Sequence, residues 1–333
     1  MRLVLTVALV ILCALALCAQ DTVSRYKPEL HGVVRGKYEY STEMDASRFS
    51  LRNARVSLEG AMPWRTQYRV EMDVCDDGEV KLKNAWVRLE PWRHVRVSVG
   101  YQRPPFGLDV SHNPYTQLFI NRSFAAKHVV NVRDVGVLGA YDFRDSHGAT
   151  RLRLEAGVFN GSENSGGKSG WHNGMSYSAR AQYHPAKCLT IAPAILHKSA
   201  ADGSAGYTAL DCGVSLASGI MHLEAEYLRK SFADGAYATC HAVNAMAAVT
   251  PHLHHTDGML KGISCLARYD YMGDHADEAA ARHRMTVGVT LRLCSKSNPV
   301  LLRINYEKYW FTGERTVKDN ECDKLSTEIA IRI

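Results

Sequence analysis

Residues 64–74, with the sequence WRTQYRVEMDV, alternate between apolar and polar side chains, and this alternation decides the fold class. Successive side chains of a β-strand point to opposite faces, so the stretch predicts a strand with one mainly apolar and one polar face. The apolar face could contact a protein core or lipid, whereas the charged face requires water. The two faces are Trp64, Thr66, Tyr68, Val70, Met72, Val74 and Arg65, Gln67, Arg69, Glu71, Asp73.

Similar alternating runs recur along the chain, about ten residues each, which is typical of a transmembrane β-barrel with a wet interior. The fold class that we predict is all-β: a transmembrane antiparallel β-barrel of about 16 strands. Barrels of this kind have short turns on the periplasmic side and longer loops on the outer side. With the first strand rising from the periplasm, the even-numbered connections would be periplasmic, and most of them are short. The odd-numbered connections would be the outer loops, and they include the long ones at residues 102–134 and 161–175. The predicted strands are residues 31–40, 47–60, 64–74, 80–90, 93–101, 135–143, 150–160, 176–184, 187–198, 207–217, 219–230, 237–249, 262–271, 282–293, 299–308 and 324–333.

The N-terminus has the features of an export signal. Met1 and Arg2 are followed by an apolar run that is too short to span a bilayer, and polarity rises at Asp21. We therefore predict that residues 1–20 form a cleaved signal peptide. Residues 21–333 have a uniform texture without a linker, which predicts a single transmembrane β-barrel domain.

Composition excludes several other classes. The formal net charge is +6, from 40 basic and 34 acidic residues, which is too small and too dispersed to predict a nucleic-acid partner. After residue 20 there is no run of 18 apolar residues, so no helical membrane span is predicted. The cysteines at positions 75, 188, 212, 240, 265, 294 and 322 lie far apart, which predicts no disulfide framework.

No catalytic or metal-binding motif is evident. The sequence lacks GxSxG, HExxH, Walker A and GxGxxG motifs, so we predict no enzyme, no catalytic residues and no cofactor. The cluster of His252, His254, His255 and Asp257 could suggest a metal site. It lies in a predicted turn without further ligands, and we therefore predict no metal site.

Residues 48–161 resemble the phosphate-selective porin family, porins O and P. Each matching stretch is short, and the specificity comes from their order and spacing. After residue 161 only the strand periodicity continues. The matching stretches are residues 49–60 (FSLRNARVSLEG), 68–73 (YRVEMD), 82–87 (LKNAWV), 97–102 (VSVGYQ), 105–108 (PFGL), 121–123 (NRS), 133–137 (RDVGV) and 157–161 (GVFNG).

The resemblance implies a sixteen-stranded barrel in the outer membrane of a Gram-negative bacterium, usually a homotrimer, with its long third outer loop folded into the lumen. That loop would be residues 102–134, which our strand count also makes the third outer connection. The implied partners are outer-membrane lipid and small anionic solutes. The family's phosphate-specific members line the pore with arginines and a lysine cluster, but no such ladder can be placed in this sequence.

Charged residues of the loop and of the inward strand faces are the candidate pore residues, because rings of charge set selectivity in wide pores. For the pore constriction and solute binding we predict Arg103, Arg122, Lys127 and Arg133. An alternative is that Arg133 and Asp134 form an ion pair that holds the loop to the wall. The predicted lumen-lining residues are Arg65, Arg69, Arg96, Arg151, Arg153, Arg180, Arg268, Arg292 and Arg303. The same face carries acidic residues, so we predict a mixed lumen.

The predicted function is an outer-membrane porin that gives passive diffusion of small hydrophilic solutes, with a preference for anions such as phosphate, through a constricted water-filled barrel. Two alternatives remain open. The first is an outer-membrane barrel enzyme, a protease or lipase, with a dispersed site. The second is a soluble exported β-sandwich binding protein. Aromatic residues at run ends, including Trp64, Trp92, Tyr101, Tyr309 and Trp310, are predicted to form girdles at the membrane interfaces.

Overall fold

The chain forms a closed antiparallel barrel of sixteen strands in sequence order, as the computed structural model shows. The predicted fold class and strand number are confirmed. Because the barrel is closed, a two-sheet sandwich is excluded. The strands are β1 Glu29–Ser41, β2 Ala46–Met62, β3 Thr66–Asp76, β4 Glu79–Leu89, β5 Val95–Gln102, β6 Asp134–Arg144, β7 Thr150–Phe159, β8 Ser176–Ala186, β9 Leu189–Lys198, β10 Tyr207–Ser218, β11 Met221–Phe232, β12 Cys240–Val249, β13 Leu260–Met272, β14 Ala281–Leu293, β15 Val300–Thr312 and β16 Lys324–Arg332.

The structure describes residues 28–76, 78–129, 131–167, 171, 173–201, 204–253, 258–273, 281–295, 297–312 and 320–333. The predicted signal peptide lies outside these residues, as do three members of the considered metal cluster, at positions 254, 255 and 257. In the described part of the chain, no group of three or more His, Cys, Asp or Glu residues could hold a metal ion. The same part contains no helix long and apolar enough to cross a membrane.

The first and last strands close the barrel. They pair antiparallel from Val33 opposite Arg332 to Ser41 opposite Lys324. Beyond this ladder, Gly32 and Ile333 exchange two backbone hydrogen bonds of 2.9 Å. Because every strand then has two partners, the sheet has no open edge, which a barrel in lipid requires.

The two faces of the strands divide as the alternation predicts. On β14, Arg284 and Thr286 are buried inside the barrel, whereas Met285 and Val287 are exposed on its outside. Exposed outer residues elsewhere, such as Ile329, are also apolar. A mainly apolar outer face around a polar interior is the arrangement expected of a barrel in lipid.

The aromatic prediction is wrong at two positions. Tyr309 points inward, where its hydroxyl donates a 3.0 Å hydrogen bond to the carboxylate of Glu307. Tyr101 is only 4% exposed. Trp92 and Trp310 are 70% and 47% exposed, as a girdle residue would be. Position near the end of a run therefore does not by itself tell which side of the barrel wall an aromatic ring occupies.

The strand predicted at residues 64–74 lies two residues further along the chain. Trp64 and Arg65 have φ values of 63° and 55°, which are left-handed turn conformations, and β3 begins only at Thr66. Arg65 was predicted to line the lumen, but it lies in this turn, where its guanidinium pairs with Glu90 at 3.1 Å. Apolar and polar residues also alternate through the turn, so the sequence pattern does not show where β3 begins.

Candidate functional site

The connection between β5 and β6 packs against the inner surface of the barrel. We call residues 103–133, of which 130 is not described, the inner segment. Its apolar side chains Phe106, Val110, Phe124 and Val129 are at most 3% exposed. They form one cluster with buried residues of β9 to β15, including Ala194, Leu196, Tyr207, Ala209, Leu228, Cys240, Ala242, Met272 and Tyr309. The inner segment thus covers the buried apolar side chains on the inner surface of these strands.

Four buried arginines on the wall hold the backbone of the inner segment. Each guanidinium donates a hydrogen bond to a carbonyl oxygen of that segment and contacts at least one wall carboxylate. The carbonyl bonds are Arg35 to Ile120 at 2.8 Å, Arg268 to Asn121 at 2.9 Å, Arg284 to Arg122 at 2.6 Å and Arg303 to Tyr115 at 2.6 Å. Arg268 and Arg303, predicted as lumen-lining, face inward but are 2% and 1% exposed beneath the segment.

A tight turn places the first part of the inner segment. Gly107 has a φ of +75°, and a Cβ there would lie 2.6 Å from a methyl carbon of Val110, so glycine is required. The backbone N–H groups of Leu108 and Asp109 then donate to the carboxylate of Glu226 on β11. This turn therefore ties the start of the inner segment to β11.

Arg122 closes the inner segment upon itself. Its guanidinium donates to the carbonyl oxygens of Asp109, Val110 and His112 at 2.9, 2.8 and 2.7 Å. The carboxylate of Asp109 in turn accepts hydrogen bonds from the N–H and hydroxyl of Ser123 at 2.8 and 2.7 Å. Arg122 therefore has a structural function within the inner segment.

Between the inner segment and the wall lies a cavity of about 270 Å³, which we call the arginine cavity. Its lining includes two acidic side chains, Glu71 and Glu155, and one histidine, His112. The six basic residues of the lining are Arg55, Arg69, Arg103, Arg122, Arg133 and Arg180. Three of the four predicted constriction residues thus line the same cavity as two of the predicted lumen-lining residues, Arg69 and Arg180.

The wall arginines of this cavity are largely neutralised by acids. Arg69 contacts Glu71 at 2.5 Å, and Arg180 contacts Glu155 at 2.7 Å. Arg55 lies 3.0 Å from Glu71 and also 3.0 Å from Asp73. These guanidinium groups are oriented by carboxylates, so they add little net charge to the cavity.

Arg103 and Arg133 differ, because their side chains have no carboxylate partner among the described residues. Arg103 donates only a long 3.4 Å bond to Asn131, and its Nη1 has no hydrogen-bond partner there. The Nε of Arg133 has none either. Burial, followed by the charges of neighbouring arginines, lowers the pKa of Arg103 well below its usual range. Burial and the charge of Arg55 lower the pKa of Arg133 to about 10. An arginine guanidinium keeps its proton in proteins, so both groups present positive charge that no direct carboxylate contact among the described residues offsets.

The expected alternative, an ion pair between Arg133 and Asp134, is not what these two residues form. Asp134 accepts hydrogen bonds from the N–H and hydroxyl of Ser162, at 3.1 and 2.8 Å. The backbone of Arg133 is tied to Asn164, whose N–H donates to the Arg133 carbonyl at 2.6 Å. The loop after β7 thereby fixes the end of the inner segment and leaves the Arg133 side chain to the cavity.

Lys127, the fourth predicted constriction residue, lies elsewhere. It lines a separate cavity of about 410 Å³, which we call the lysine cavity. Burial, opposed by the charge of Glu321, lowers the pKa of Lys127 to about 8. Basic residues on this lining outnumber the single acid, Glu39, and they are Lys37, Arg48, Arg52, Lys127, Arg284 and Lys324.

The remaining predicted lumen residues, apart from Arg292, make local ion pairs. Arg96 and Arg153 both contact Asp142, at 3.0 and 2.6 Å. Arg151 pairs with Asp145 near the turn between β6 and β7, at 2.8 Å. Arg292 is on the inward face of β14, partly buried.

Sequence reasoning missed two arginines of β2 for a physical reason. Between Arg35 and Gly36 of β1 the pairing register shifts, from Asn53 to Leu51, so Arg52 is an extra residue in a β-bulge. A bulge reverses the inward and outward phase of a strand. Arg52 and Arg55 therefore both line cavities inside the barrel. In a strand without a bulge, residues three positions apart would point to opposite faces. Lys37, by contrast, follows the simple alternation of β1 and could have been found.

A closed barrel with an apolar outside, a charged inside and a long connection packed within it defines the protein as a porin-type outer-membrane barrel. The sequence profile of the family described as phosphate-selective porin O and P matches residues 29–206. This is more than half of the chain, so the chain belongs to that family, and it lies in the outer membrane of a Gram-negative bacterium. The match also extends past residue 161, where the resemblance noted from motifs had faded.

Solved structures share the fold at low sequence identity. The anion-selective porin from Comamonas acidovorans has a TM-score of 0.65 at 14% identity, covering 92% of this chain and 99% of that one. Salmonella typhi OmpF in complex with daunomycin has a TM-score of 0.65 at 12% identity, covering 93% and 98%. The trimer form of in-vitro folded OmpT from Vibrio cholerae has a TM-score of 0.62 at 9% identity, covering 93% and 100%. No curated protein matches the sequence.

Proposed function

We propose that the protein is a passive channel for small hydrophilic anions, phosphate among them, and that solutes pass between the inner segment and the wall of β2 to β8. The observation that carries this proposal is the pair Arg103 and Arg133, two guanidinium groups that contact no carboxylate of the described residues, in a cavity lined by six arginines and two glutamates. Uncompensated positive charge in a confined space raises the local concentration of anions and lowers that of cations.

No chemical step is needed for this function. An anion that loses part of its hydration shell can be bound instead by the planar forks of Arg103 and Arg133, which suit the oxygens of phosphate. The lysine cavity offers a second basic site at which an anion could bind. Several weak sites in series allow entry without preventing exit. The proposal includes no catalytic residue and no cofactor.

The assembly that we propose is a homotrimer in outer-membrane lipid. The trimer form of the OmpT structure with the same fold supports the trimer. Lipid contact is supported by the exposed apolar outer face, to which Val99, Val287 and Ile329 contribute. Such a face is stable in water only when lipid or another subunit covers it.

The test is planar-bilayer conductance of the refolded full chain under a KCl gradient, before and after addition of phosphate. We expect ohmic openings with an anion-selective reversal potential, and block by phosphate. Arg103→Gln and Arg133→Gln, alone and together, should reduce the anion-to-cation permeability ratio by about twofold or more. Arg65→Gln is the matched control, because it removes the same charge from a turn outside both cavities.

Cation-selective openings of the wild type would contradict the anion proposal while retaining the channel. Anion selectivity that survives in the double variant would show that Arg103 and Arg133 are not its source. A folded barrel that gives no openings but hydrolyses peptide or ester substrates would favour the barrel-enzyme alternative.

A further inference from the structure

A single histidine of the inner segment lies on the arginine cavity. His112 directly follows the 3₁₀ turn Asp109–Ser111, and its side chain is 31% exposed. It lines the cavity together with Arg103, Arg133 and the other guanidinium groups. Histidine changes its charge near neutral pH, whereas arginine does not. His112 is therefore the lining residue whose charge can respond to ordinary changes of acidity.

A buried carboxylate on β11 orients the imidazole ring. The Nε2 atom of His112 lies 3.1 Å from Oε2 of Glu224, whose side chain is 2% exposed. The other oxygen of Glu224 lies 2.8 Å from Nε2 of His222 and accepts a 3.4 Å hydrogen bond from Ser215. Since Nε2 of His112 faces a carboxylate, that atom carries the proton of the neutral ring, and Nδ1 gains the second proton.

The charged groups around His112 come from two elements. On β11 these are Glu224 and His222, and within the inner segment they are Asp109 and Arg122. Burial lowers the pKa of His112, but the hydrogen bond and charge of Glu224, with the charge of Asp109, outweigh burial and raise the pKa above its ordinary value. Arg122 acts in the opposite direction, more weakly than these carboxylates.

We infer that His112 is a specificity-determining residue whose protonation adds a positive charge to the arginine cavity, so that the channel prefers anions more strongly in mildly acidic than in mildly alkaline solution. The inference rests on the proposed anion channel. A group with a raised pKa is charged below that pKa and neutral above it, so anion preference falls as the pH rises through it. Since Glu224 holds the ring in either state, the change is in charge rather than in the path of the inner segment.

The experiment compares reversal potentials of the refolded full chain under a KCl gradient at about pH 5.5 and about pH 8. The wild type should show an anion-to-cation permeability ratio about twofold higher at the lower pH. His112→Gln keeps a donor for Glu224 but cannot titrate, so most of this increase should disappear. His112→Lys should hold the ratio high at both pH values, because an amine at that position stays charged.

His222→Gln is the matched control, since His222 shares Glu224 but is not on the lining of the arginine cavity. It should retain the pH dependence. Folding of each variant is checked by its heat-dependent gel mobility, so that a misfolded variant is replaced by the other substitution at position 112.

The inference is overturned if His112→Gln responds to pH as the wild type does, or if His222→Gln alone abolishes the response. Anion selectivity that does not vary with pH in the wild type overturns the inference but leaves the proposed channel standing. Cation selectivity at both pH values overturns both the inference about His112 and the proposed anion channel.

Discussion

Arg35 on β1 and Glu328 on β16 form a buried ion pair of 2.8 Å across the seam where the barrel closes. The same guanidinium donates to the carbonyl oxygen of Ile120 in the inner segment, at 2.8 Å. One side chain thus joins the first strand, the last strand and the segment inside the barrel. Closure of the sheet and placement of the inner segment are therefore coupled at this point.

We expect Arg35→Met to lower the free energy of unfolding by about 3–5 kcal/mol, because it leaves buried Glu328 with one cationic partner fewer and frees the Ile120 carbonyl. Unfolding of the refolded barrel in urea is measured by its tryptophan fluorescence. The control is Arg65→Gln, which removes an ion pair whose arginine is 57% exposed and should change stability by no more than about 1 kcal/mol. Equal effects of the two substitutions would contradict the proposed coupling.

Gly107→Ala should displace the start of the inner segment. The left-handed backbone at this position disfavours any side chain, and the new Cβ would collide with Val110. We expect a loss of about 1–2 kcal/mol in the free energy of unfolding and a changed single-channel conductance. Gly36→Ala is the control, since nothing lies within 4 Å of a Cβ there. An unchanged conductance in the Gly107 variant would show that the turn does not set the width of the path.

Glu71→Gln should strengthen anion selectivity. The substitution keeps the shape of the side chain but removes one of the two negative charges of the arginine cavity, so Arg69 and Arg55 become less compensated. We expect a higher anion-to-cation permeability ratio and a loss of about 1–3 kcal/mol in stability, since hydrogen bonds to a charged acceptor are weakened. Glu90→Gln, which removes a carboxylate paired with Arg65 in the turn, serves as the control. An unchanged ratio in the Glu71 variant would argue that ions do not pass the arginine cavity, and a lower ratio would contradict the expected direction.

Lys127 should give a second pH dependence, on the alkaline side. Because burial lowers its pKa to about 8, the amine loses its charge as the pH rises through that value, and phosphate block should weaken between about pH 7 and pH 9. For stability the sign is opposite: the unfolded chain binds the proton up to a higher pH, so this group makes folding more favourable as the pH rises from about 8. Lys127→Gln should weaken block at neutral pH and reduce the alkaline step, and Lys127→Arg should reduce that step by keeping the charge. Block that is identical in all three proteins would exclude Lys127 from the path of phosphate.

Much of the architecture was predictable because the signal is local. The period of two follows from strand geometry, so β14 and β16 could be divided correctly into inward and outward residues. The number of strands and the family followed from the recurrence of this pattern and from short ordered motifs. The turn at Trp64 and the bulge at Arg52 were missed, because a backbone reversal or an extra residue does not change the apparent alternation of side chains.

The sequence by itself determined a sixteen-stranded barrel with a charged interior and a long third connection, and it supplied the candidates Arg103, Arg122, Lys127 and Arg133. Only the tertiary structure decided which charges remain available. Arg268 lies under the inner segment because it bonds Asn121, a residue far away in the chain. Arg103 and Arg133 contact no carboxylate of the described residues because of how the inner segment packs against the wall. Which partner a charged side chain meets depends on contacts between distant residues, and local periodicity contains no information about them.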